Sequence, residues 1–430
     1  MSAWRMAAAR IVERIWFRAG LFTVAAMAIA LAVGIAEPVL PQIDVDLGQE
    51  AVATILQILA TSMLAVTTFS LTAMIQAYIS AAQVATPRAT QLLVADRTSQ
   101  NALSTFLGAF VFAIVGLGAL STEYYGHAGR TILYGCALVV IAIVVITLLR
   151  WIQHLTTFGR MADVIDRVER AATDAAREAA RHPHLGGEAP VDPPAHCTPV
   201  TCTRSGFVTA VHVEDLARLA GEHDVLIHVI TLPGGPADAA APLALIEGRA
   251  STEVEDAVRD AFLVEAHRTY EQDPRLGFVA LAEIASRALS PAVNDPGTAI
   301  DTLGSLQRAM TVLLTTEPDP EVRHRGVHVP RVDVADVVED AFRPVARDGA
   351  AMVEVGLRIQ RVIAGLLAVA DAPSASALRR ASRAAVERAA DALSEADAAL
   401  VARAAEEARA HGPAEARRGD RGEADAGGDA

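Results

Sequence analysis

The sequence contains no lysine, so all 37 of its basic residues are arginine. Because biotin and lipoate are carried on lysine side chains, a role as a carrier of these groups is excluded, and no cofactor is predicted. The chain has only three cysteines, too few for a disulfide framework. Cys197 and Cys202 have His196 beside them but no second pair of ligands nearby, whereas zinc usually takes four nitrogen or sulfur ligands. We therefore expect no metal site.

Charged residues are missing from four long stretches, which are residues 19–36, 51–87, 98–122 and 131–149. About 20 apolar residues in a helix cross a bilayer core of about 30 Å. The sequence therefore predicts an integral membrane α-helical protein with four transmembrane helices. We place these helices at residues 19–36, 51–74, 102–120 and 132–149.

Basic residues are distributed unevenly between the loops that join these spans. Arginines precede the first span, lie between the second and third, and follow the fourth, whereas the other two loops are mainly acidic. Because positively charged loops stay in the cytoplasm, the pattern predicts a multi-pass protein of the plasma (inner) membrane with both termini cytoplasmic. Residues 161–430 hold twenty-eight arginines against forty-four acids, which argues against a nucleic-acid partner.

After the last span the chain predicts a cytoplasmic α+β region, a small β-barrel-like module followed by a helical domain. Strand-like runs flank a short helix at residues 214–222, and mostly helical patterns follow from residue 253, the first at 253–270. The predicted divisions are a four-helix transmembrane domain at 1–160, a helix and Pro/Gly-rich linker at 161–200, the β module at 201–250, the helical domain at 251–372, an amphipathic helix at 373–411 and a disordered tail at 412–430.

Polar residues form a stripe on the second span. Gln57, Thr61, Thr68 and Thr72 fall within a narrow arc at about 100° per residue. Such side chains commonly form hydrogen bonds between transmembrane helices. Alternatively, the stripe faces a water-filled path.

Two Asp-Pro steps, Asp273-Pro274 and Asp295-Pro296, each precede a helical pattern. Aspartate is a strong N-cap, and proline is favoured at the first helical position, so both steps are typical of helix starts. The alternative is a binding site, because helix starts offer free N–H groups and nearby arginines could clamp an anion. The candidate binding residues are Arg268, Asp273, Arg287, Ser290, Asn294, Asp295 and Thr298.

Two stretches resemble a known family. The first is "ALSPAVNDPGTAIDTL", which begins at Ala288, and the second contains Pro87-Arg88, the Asp96–Gln100 step "DRTSQ" and the run "TFLG" that begins at Thr105. The chain is identified on these motifs as a member of the bacterial predicted membrane protein family called domain of unknown function 2254. The resemblance implies a four-helix membrane part and a cytoplasmic domain, and it implies no established activity.

These features lead to a functional hypothesis for a protein of unknown biochemical activity. We expect a homo-oligomeric, channel-like, transporter-like or solute-sensing protein whose cytoplasmic domain is regulatory. The lipid bilayer, further copies of the chain and a small anionic ligand or ion are the expected partners. The alternatives are a non-conducting, membrane-anchored binding or scaffold protein and a membrane-surface enzyme with Asp273 or Asp295 as acid or base. Since no catalytic motif is recognisable, we predict that the protein is not an enzyme.

Overall fold

The computed structural model of the chain describes residues 20–28, 32, 49–84, 86–94, 96–122 and 124–410. These residues form two compact units. One unit comprises Val84–Ala89 and the chain from Val164 onward, and the other comprises the remaining residues up to Asp163. Most of the first predicted span, 19–36, and the predicted disordered tail lie outside the described residues. Within that span, residues 20–28 are helical.

The first unit along the chain consists of long apolar helices. In the described part of the chain, three helices are long and apolar enough to cross a membrane: Gln49–Ala82, Arg97–Ser121 and Gly129–Leu155. They contain the second, third and fourth predicted spans. The complete helices are α1 (Gln49–Val84), α2 (Pro87–Val94), α3 (Arg97–Ser121), α4 (His127–Leu155) and α5 (Met161–Arg181), the last of which belongs almost entirely to the other unit.

Helix α1 is longer than a bilayer core is thick. Its 36 residues extend about 54 Å at about 1.5 Å per residue. Val52, Leu56, Met63 and Met74 are buried at spacings of four, seven and eleven residues, so they form one packing face. This face sets the rotation of α1 and leaves the opposite face exposed within the chain.

The β module contains two open sheets. Its helices are α6 (Val213–His223) and α7 (Thr252–Asp260), and its strands are β1 (Thr198–Thr201), β2 (Gly206–Val211), β3 (Leu226–Val229), β4 (Pro236–Ala237), β5 (Pro242–Glu247), β6 (Phe262–Glu265) and β7 (Val327–His328). One sheet has the order β1-β5-β3-β7 and the other has the order β4-β2-β6. A common hydrophobic core is built from both sheets and both helices, with Val208, Leu216, Ile227, Ile246 and Val258 among its members.

The prediction of a barrel-like module is wrong, because the two sheets are open. Among the described strands the sheets end at β1 and β7 and at β4 and β6, so neither sheet closes on itself. The single helix predicted at 253–270 is also wrong, because Phe262–Glu265 pairs antiparallel with β2 instead. The β module therefore extends beyond the predicted boundary at residue 250, and it takes its last strand from residues 327–328.

Outside the β module, the secondary structure of the unit from Val164 onward is helical. It comprises α5 together with α8 (Pro274–Ala288), α9 (Pro296–Thr315), α10 (Val334–Asp348), α11 (Val353–Leu367), α12 (Ala372–Ala392) and α13 (Glu395–Arg409). The long C-terminal helix predicted at 373–411 is two helices. The chain is extended at Leu393, and Ser394 caps α13 by accepting a hydrogen bond from Asp397 N. Each Asp-Pro step lies at the start of one of the helices α8 and α9, so these two helices position most of the candidate binding residues.

Candidate functional site

The first Asp-Pro step forms a buried ion pair at the start of α8. Asp273 is 1% exposed. Its Oδ2 accepts a hydrogen bond from Arg268 Nε at 2.6 Å, and its Oδ1 accepts one from a terminal guanidinium nitrogen of Arg268 at 3.0 Å. Oδ1 also accepts from the backbone N–H groups of Arg275 and Leu276, at 3.0 and 3.1 Å. Asp273 is thus both the N-cap of α8 and the partner of a bidentate arginine.

A glycine turn of the β module makes room for this pair. Gly234 has a φ of +89°, and a Cβ atom at this position would lie 2.5 Å from the Asp273 carboxylate. Glycine adopts this conformation without strain, and no larger residue fits beside the carboxylate. The "PGGP" turn that leads into β4 therefore packs closely against the Asp273 carboxylate at the start of α8.

The loop between the second and third predicted spans contacts the same helix. Val84–Ala89 belongs to the same unit as α8. Arg88 forms an ion pair with Glu283 of α8, and Tyr270 Oη donates a hydrogen bond to the Arg88 carbonyl at 3.1 Å. Burial raises the pKa of Tyr270 above its ordinary value, so its hydroxyl keeps its proton and donates. The segment that directly follows α1 in the chain is thus bonded to α8, the helix that Asp273 caps.

The second Asp-Pro step is an exposed, fully bonded turn. Asp295 Oδ1 accepts a hydrogen bond from Thr298 N at 3.0 Å, and Oδ2 accepts one from Thr298 Oγ1 at 2.6 Å. The Thr298 hydroxyl and N–H lower the pKa of Asp295 below its ordinary value. Asn294 has a φ of 50°, a left-handed conformation that asparagine tolerates well. Ser290 O accepts from Asn294 N at 2.8 Å, and Ala288 O accepts from Asp295 N at 2.8 Å.

The structure places the candidate binding residues in two groups. Arg268 and Asp273 lie at the start of α8, whereas Arg287 lies in its last turn, with Ser290, Asn294, Asp295 and Thr298 just beyond. The 15 residues of α8 separate the groups by about 22 Å. Arg268 and Arg287 are therefore too far apart to hold one small anion between them. The prediction that both Asp-Pro steps cap helices is confirmed, since each carboxylate accepts backbone N–H groups.

The polar stripe lies on the surface of α1. Gln57, Thr61, Thr68 and Thr72 are all exposed within the chain. The hydroxyl groups of Thr61, Thr68 and Thr72 donate to carbonyls four residues earlier in α1, at 2.7, 2.9 and 3.0 Å. The side-chain amide of Gln57 has no hydrogen-bond partner among the described residues. The stripe therefore leaves one amide and the free lone pairs of three hydroxyls facing away from the described part of the chain.

The unit with the long apolar helices contains a buried polar cluster that the sequence does not indicate, because its members are distant along the chain. Asp96 caps α3 by accepting from Ser99 N at 2.7 Å, and its Oδ2 lies 2.9 Å from His154 Nε2 at the end of α4. Trp151 Nε1 donates to Ser70 Oγ at 3.0 Å and so joins α4 to α1. The signal that could have indicated this cluster is the pair of ionisable residues at the ends of two apolar spans.

Comparison with known proteins agrees with the membrane helices. A family model described as "Predicted membrane protein (DUF2254)" matches residues 12–365. Two uncharacterized proteins, one from Mycobacterium bovis and one from Mycobacterium tuberculosis strain H37Rv, are each 31% identical over 142 residues. The matched stretch covers 32% of this chain and 27% of each relative, so the chain spans about a quarter of the length of these relatives.

No solved structure matches the chain significantly. The family match, in contrast, extends over most of the sequence, including the apolar helices, the β module and the Asp-Pro turns. A protein with several apolar helices of this length contacts the lipid bilayer. The chain belongs to the DUF2254 family of predicted membrane proteins.

Proposed function

We propose that the chain assembles into a homo-oligomer in the inner membrane, in which the polar stripes of neighbouring copies line a path for a small solute or ion. The outward position of Gln57, Thr61, Thr68 and Thr72 on α1 carries this proposal. A cyclic arrangement is the commonest way for identical subunits to bring one face together around an axis. The path then forms between subunits, because so few spans leave little room for one inside a single chain.

The energetics of the Gln57 amide favour a polar environment for the stripe. An amide without a hydrogen-bond partner costs several kcal/mol in hydrocarbon, roughly 4–8 on a cyclohexane scale. Lipid offers no partner, whereas water or the same residues of another copy do. The three threonine hydroxyls already donate within α1, so they tolerate lipid better than Gln57 does. Gln57 is therefore the residue that best distinguishes a lipid-facing stripe from one that faces a path or a neighbouring copy.

The contacts of α8 supply a connection between the proposed path and a regulatory domain. The chain leaves α1 at Val84, and four residues later Arg88 pairs with Glu283. A ligand that changes the position of α8 would move this loop and, through the chain, the end of α1. We place the regulatory domain in the cytoplasm, together with both termini, because the arginine-rich loops precede the first span and follow the last.

The rival proposal is a non-conducting, membrane-anchored binding or scaffold protein. In that case the stripe forms hydrogen bonds between copies or with a partner helix, without a water-filled space. An enzyme is less favoured, because both carboxylates that would serve as acid or base are engaged. Asp273 is bonded to Arg268 and two backbone N–H groups, and both oxygens of Asp295 are bonded to Thr298.

Flux from liposomes tests the proposal. The purified protein is reconstituted and challenged with sodium, potassium, chloride and small carboxylates, and the number of subunits is measured by light scattering in detergent. We expect flux of at least one solute above protein-free liposomes, from an oligomer. Replacing Gln57 with Leu should reduce the flux, whereas Ile58→Leu, an apolar change about 100° further round the helix, should not. An oligomer without flux of any solute would favour the scaffold.

A further inference from the structure

Three side chains that can bind a metal ion lie on one face of the four-stranded sheet. In the pairing of β3 with β5, His228 lies opposite Leu245, and Glu247 lies two residues further along the same face. In the pairing of β1 with β5, Thr198 lies opposite Ile246, which brings Cys197 beside Glu247. The other face of β3 and β5 carries core residues such as Ile227 and Ile246. Strand register, and not spacing in the sequence, therefore brings these possible metal ligands together.

The three side chains are close enough to share one ion. A sulfur of Cys197, a ring nitrogen of His228 and a carboxylate oxygen of Glu247 all lie within 4.8 Å of one another. The closest approach is between His228 Nε2 and Glu247 Oε2, at 3.0 Å. Cys197 and Glu247 are half-buried, whereas His228 is 2% exposed. Small side-chain movements would bring the donors to ordinary coordination distances, since bonds from zinc to nitrogen, oxygen and sulfur are about 2.0–2.3 Å long.

The buried histidine has an unmet polar requirement. His228 Nδ1 is buried and has no hydrogen-bond partner among the described residues. Leaving a buried polar atom unbonded costs about 1–3 kcal/mol, and such atoms often mark a bound ion or water. Glu247 bonds Nε2, which is the nitrogen that an ion shared with Glu247 would take, so Nδ1 is left for a water molecule to bond.

A second histidine supports the ring from the neighbouring strand. His328 lies opposite His228 in the parallel pairing of β3 with β7, and the two rings stack at 5.0 Å with an angle of 15°. His328 Nδ1 is 2.8 Å from the Ala189 carbonyl, a contact that requires an N–H at Nδ1 and orients the ring. Stacking on this fixed ring limits the rotation of His228 and holds its donor nitrogen near Glu247.

The donor set selects the class of ion. Calcium and magnesium prefer oxygen ligands, whereas thiolate and imidazole together are typical of zinc and related transition metals. We propose that Cys197, His228 and Glu247 bind one zinc-class divalent cation, with a water molecule as fourth ligand. Cavity space of about 210 Å³ adjoins His228 and is lined also by His328, Pro190 and Val191 among others.

The proposal differs from the expectation drawn from the sequence. The five-residue separation of Cys197 and Cys202 directed attention to the two cysteines as a pair. In the structure Cys202 belongs to the hydrophobic core of the β module, and Cys197 has His228 and Glu247 as neighbours instead. Two ligands lie in separate strands and the third precedes β1, so they leave no short motif in the sequence, and the absence of a motif did not exclude the site.

Zinc binding to the full chain, purified in detergent without a polyhistidine tag, tests this proposal. Matched pairs of variants share a residue type and differ in whether the residue belongs to the cluster. They are Cys197→Ser with Cys202→Ser, and His228→Gln with His223→Gln, since Cys202 is in the core and His223 is exposed at the end of α6. Glu247→Gln removes the third ligand at almost constant shape. Bound zinc is measured by elemental analysis after desalting, and affinity by competition with a chromogenic chelator.

We expect one zinc per chain in the wild type, with magnesium failing to compete. Each cluster variant should bind zinc at least about tenfold more weakly, because even changes next to a metal ligand cost about 10–100-fold. The Cys202→Ser and His223→Gln variants should bind as the wild type does. Substituted cobalt should give a thiolate charge-transfer band that is lost in Cys197→Ser. No zinc retained by the folded wild type, or equal losses in cluster and control variants with unchanged circular dichroism, would overturn the proposal.

Discussion

Two aspartates that occupy equivalent positions in the sequence have different surroundings. Each precedes a proline and caps a helix, yet Asp273 is buried against Arg268, whereas Asp295 is exposed and bonded only to Thr298. Asparagine caps a helix about as well as aspartate does, because its side-chain oxygen accepts the same backbone N–H bond. A buried carboxylate that also neutralises a partly buried arginine is less replaceable, because asparagine leaves the arginine's charge without a partner.

Paired replacements of the two aspartates should therefore give different stabilities. At neutral pH we expect Asp295→Asn to lose only a small part of the stability, because the carboxylate with its lowered pKa is removed while the cap is kept, and we expect Asp295→Ala to lose about 1 kcal/mol. Asp273→Asn should lose about 3–5 kcal/mol, the usual cost of breaking a buried ion pair from one side. Thermal unfolding in detergent measures all three variants, and equal stability of the two asparagine variants would contradict the buried pair.

Thermal unfolding measured together with flux shows whether Asp295 only caps a helix or also binds a ligand. If Asp295 only caps α9, the Asp295→Asn protein should keep most of its stability and all of its flux. A stable Asp295→Asn protein without flux would instead identify the carboxylate as a charged ligand. Arg287→Lys extends the comparison, because lysine keeps the charge but loses the planar fork that binds an anion through two nitrogens.

Individual residues also show which part of the account could be predicted from sequence. Asp273 and Asp295 were predictable as caps, because capping depends on neighbours within three residues. Gly234 beside Asp273 and the His228–Glu247 contact were not, because each joins residues from separate parts of the chain. The outward direction of Gln57 was equally hidden, since periodicity shows that the stripe shares a face but not what that face contacts.

At the scale of elements, local patterns predicted helices better than strands. The apolar spans need only their own sequence, and the second, third and fourth predicted spans lie within observed helices, although α1 continues from the predicted end at residue 74 to Val84. Strand β6 was mistaken for part of a helix, because four residues carry little periodicity and their strand state depends on pairing with β2. Strand β7 has two residues and pairs in parallel with a strand about a hundred residues earlier, so no local signal marks it.

The cap of α12 gives a prediction about pH. The Ser374 hydroxyl is the main cause of a lowered pKa at Asp371, with the Ser374 N–H contributing at 3.0 Å. A carboxylate whose folded-state pKa is lowered contributes stability above its ordinary pKa of 3.8, and this contribution is lost as the pH falls through the lower value. The wild type should therefore exceed Asp371→Asn in stability at neutral pH, and the difference should shrink in acid.

Unfolding at pH values above and below 3.8 checks this prediction. Ser374→Ala provides the control, because it keeps the backbone N–H bond and removes the hydroxyl that has the largest effect on the Asp371 pKa. Its own stability difference between neutral and acid pH should be smaller than that of the wild type. A stability gap between wild type and Asp371→Asn that is constant with pH would refute the assignment.

For the whole molecule, the arrangement in the membrane depends on where the arginines lie. From the bias of basic residues we propose that both termini and the chain after the last apolar helix lie in the cytoplasm. A reporter that is active only outside the inner membrane should be active when fused after Leu40 and silent when fused after Gly186. The reverse pair of results would overturn the orientation and, with it, the assignment of a cytoplasmic regulatory domain.

The central claim is that the stripe on α1 faces water or a neighbouring copy, and neighbouring cysteine substitutions test it most directly. Thr68 belongs to the stripe, whereas Phe69 is 69% exposed within the chain and lies about 100° round the helix from it. In a background without native cysteines, membranes are treated with a water-soluble thiol reagent. We predict that Thr68→Cys is labelled, or cross-links to another copy when oxidised, and that Phe69→Cys does neither. Equally low labelling and cross-linking at both positions would contradict the account.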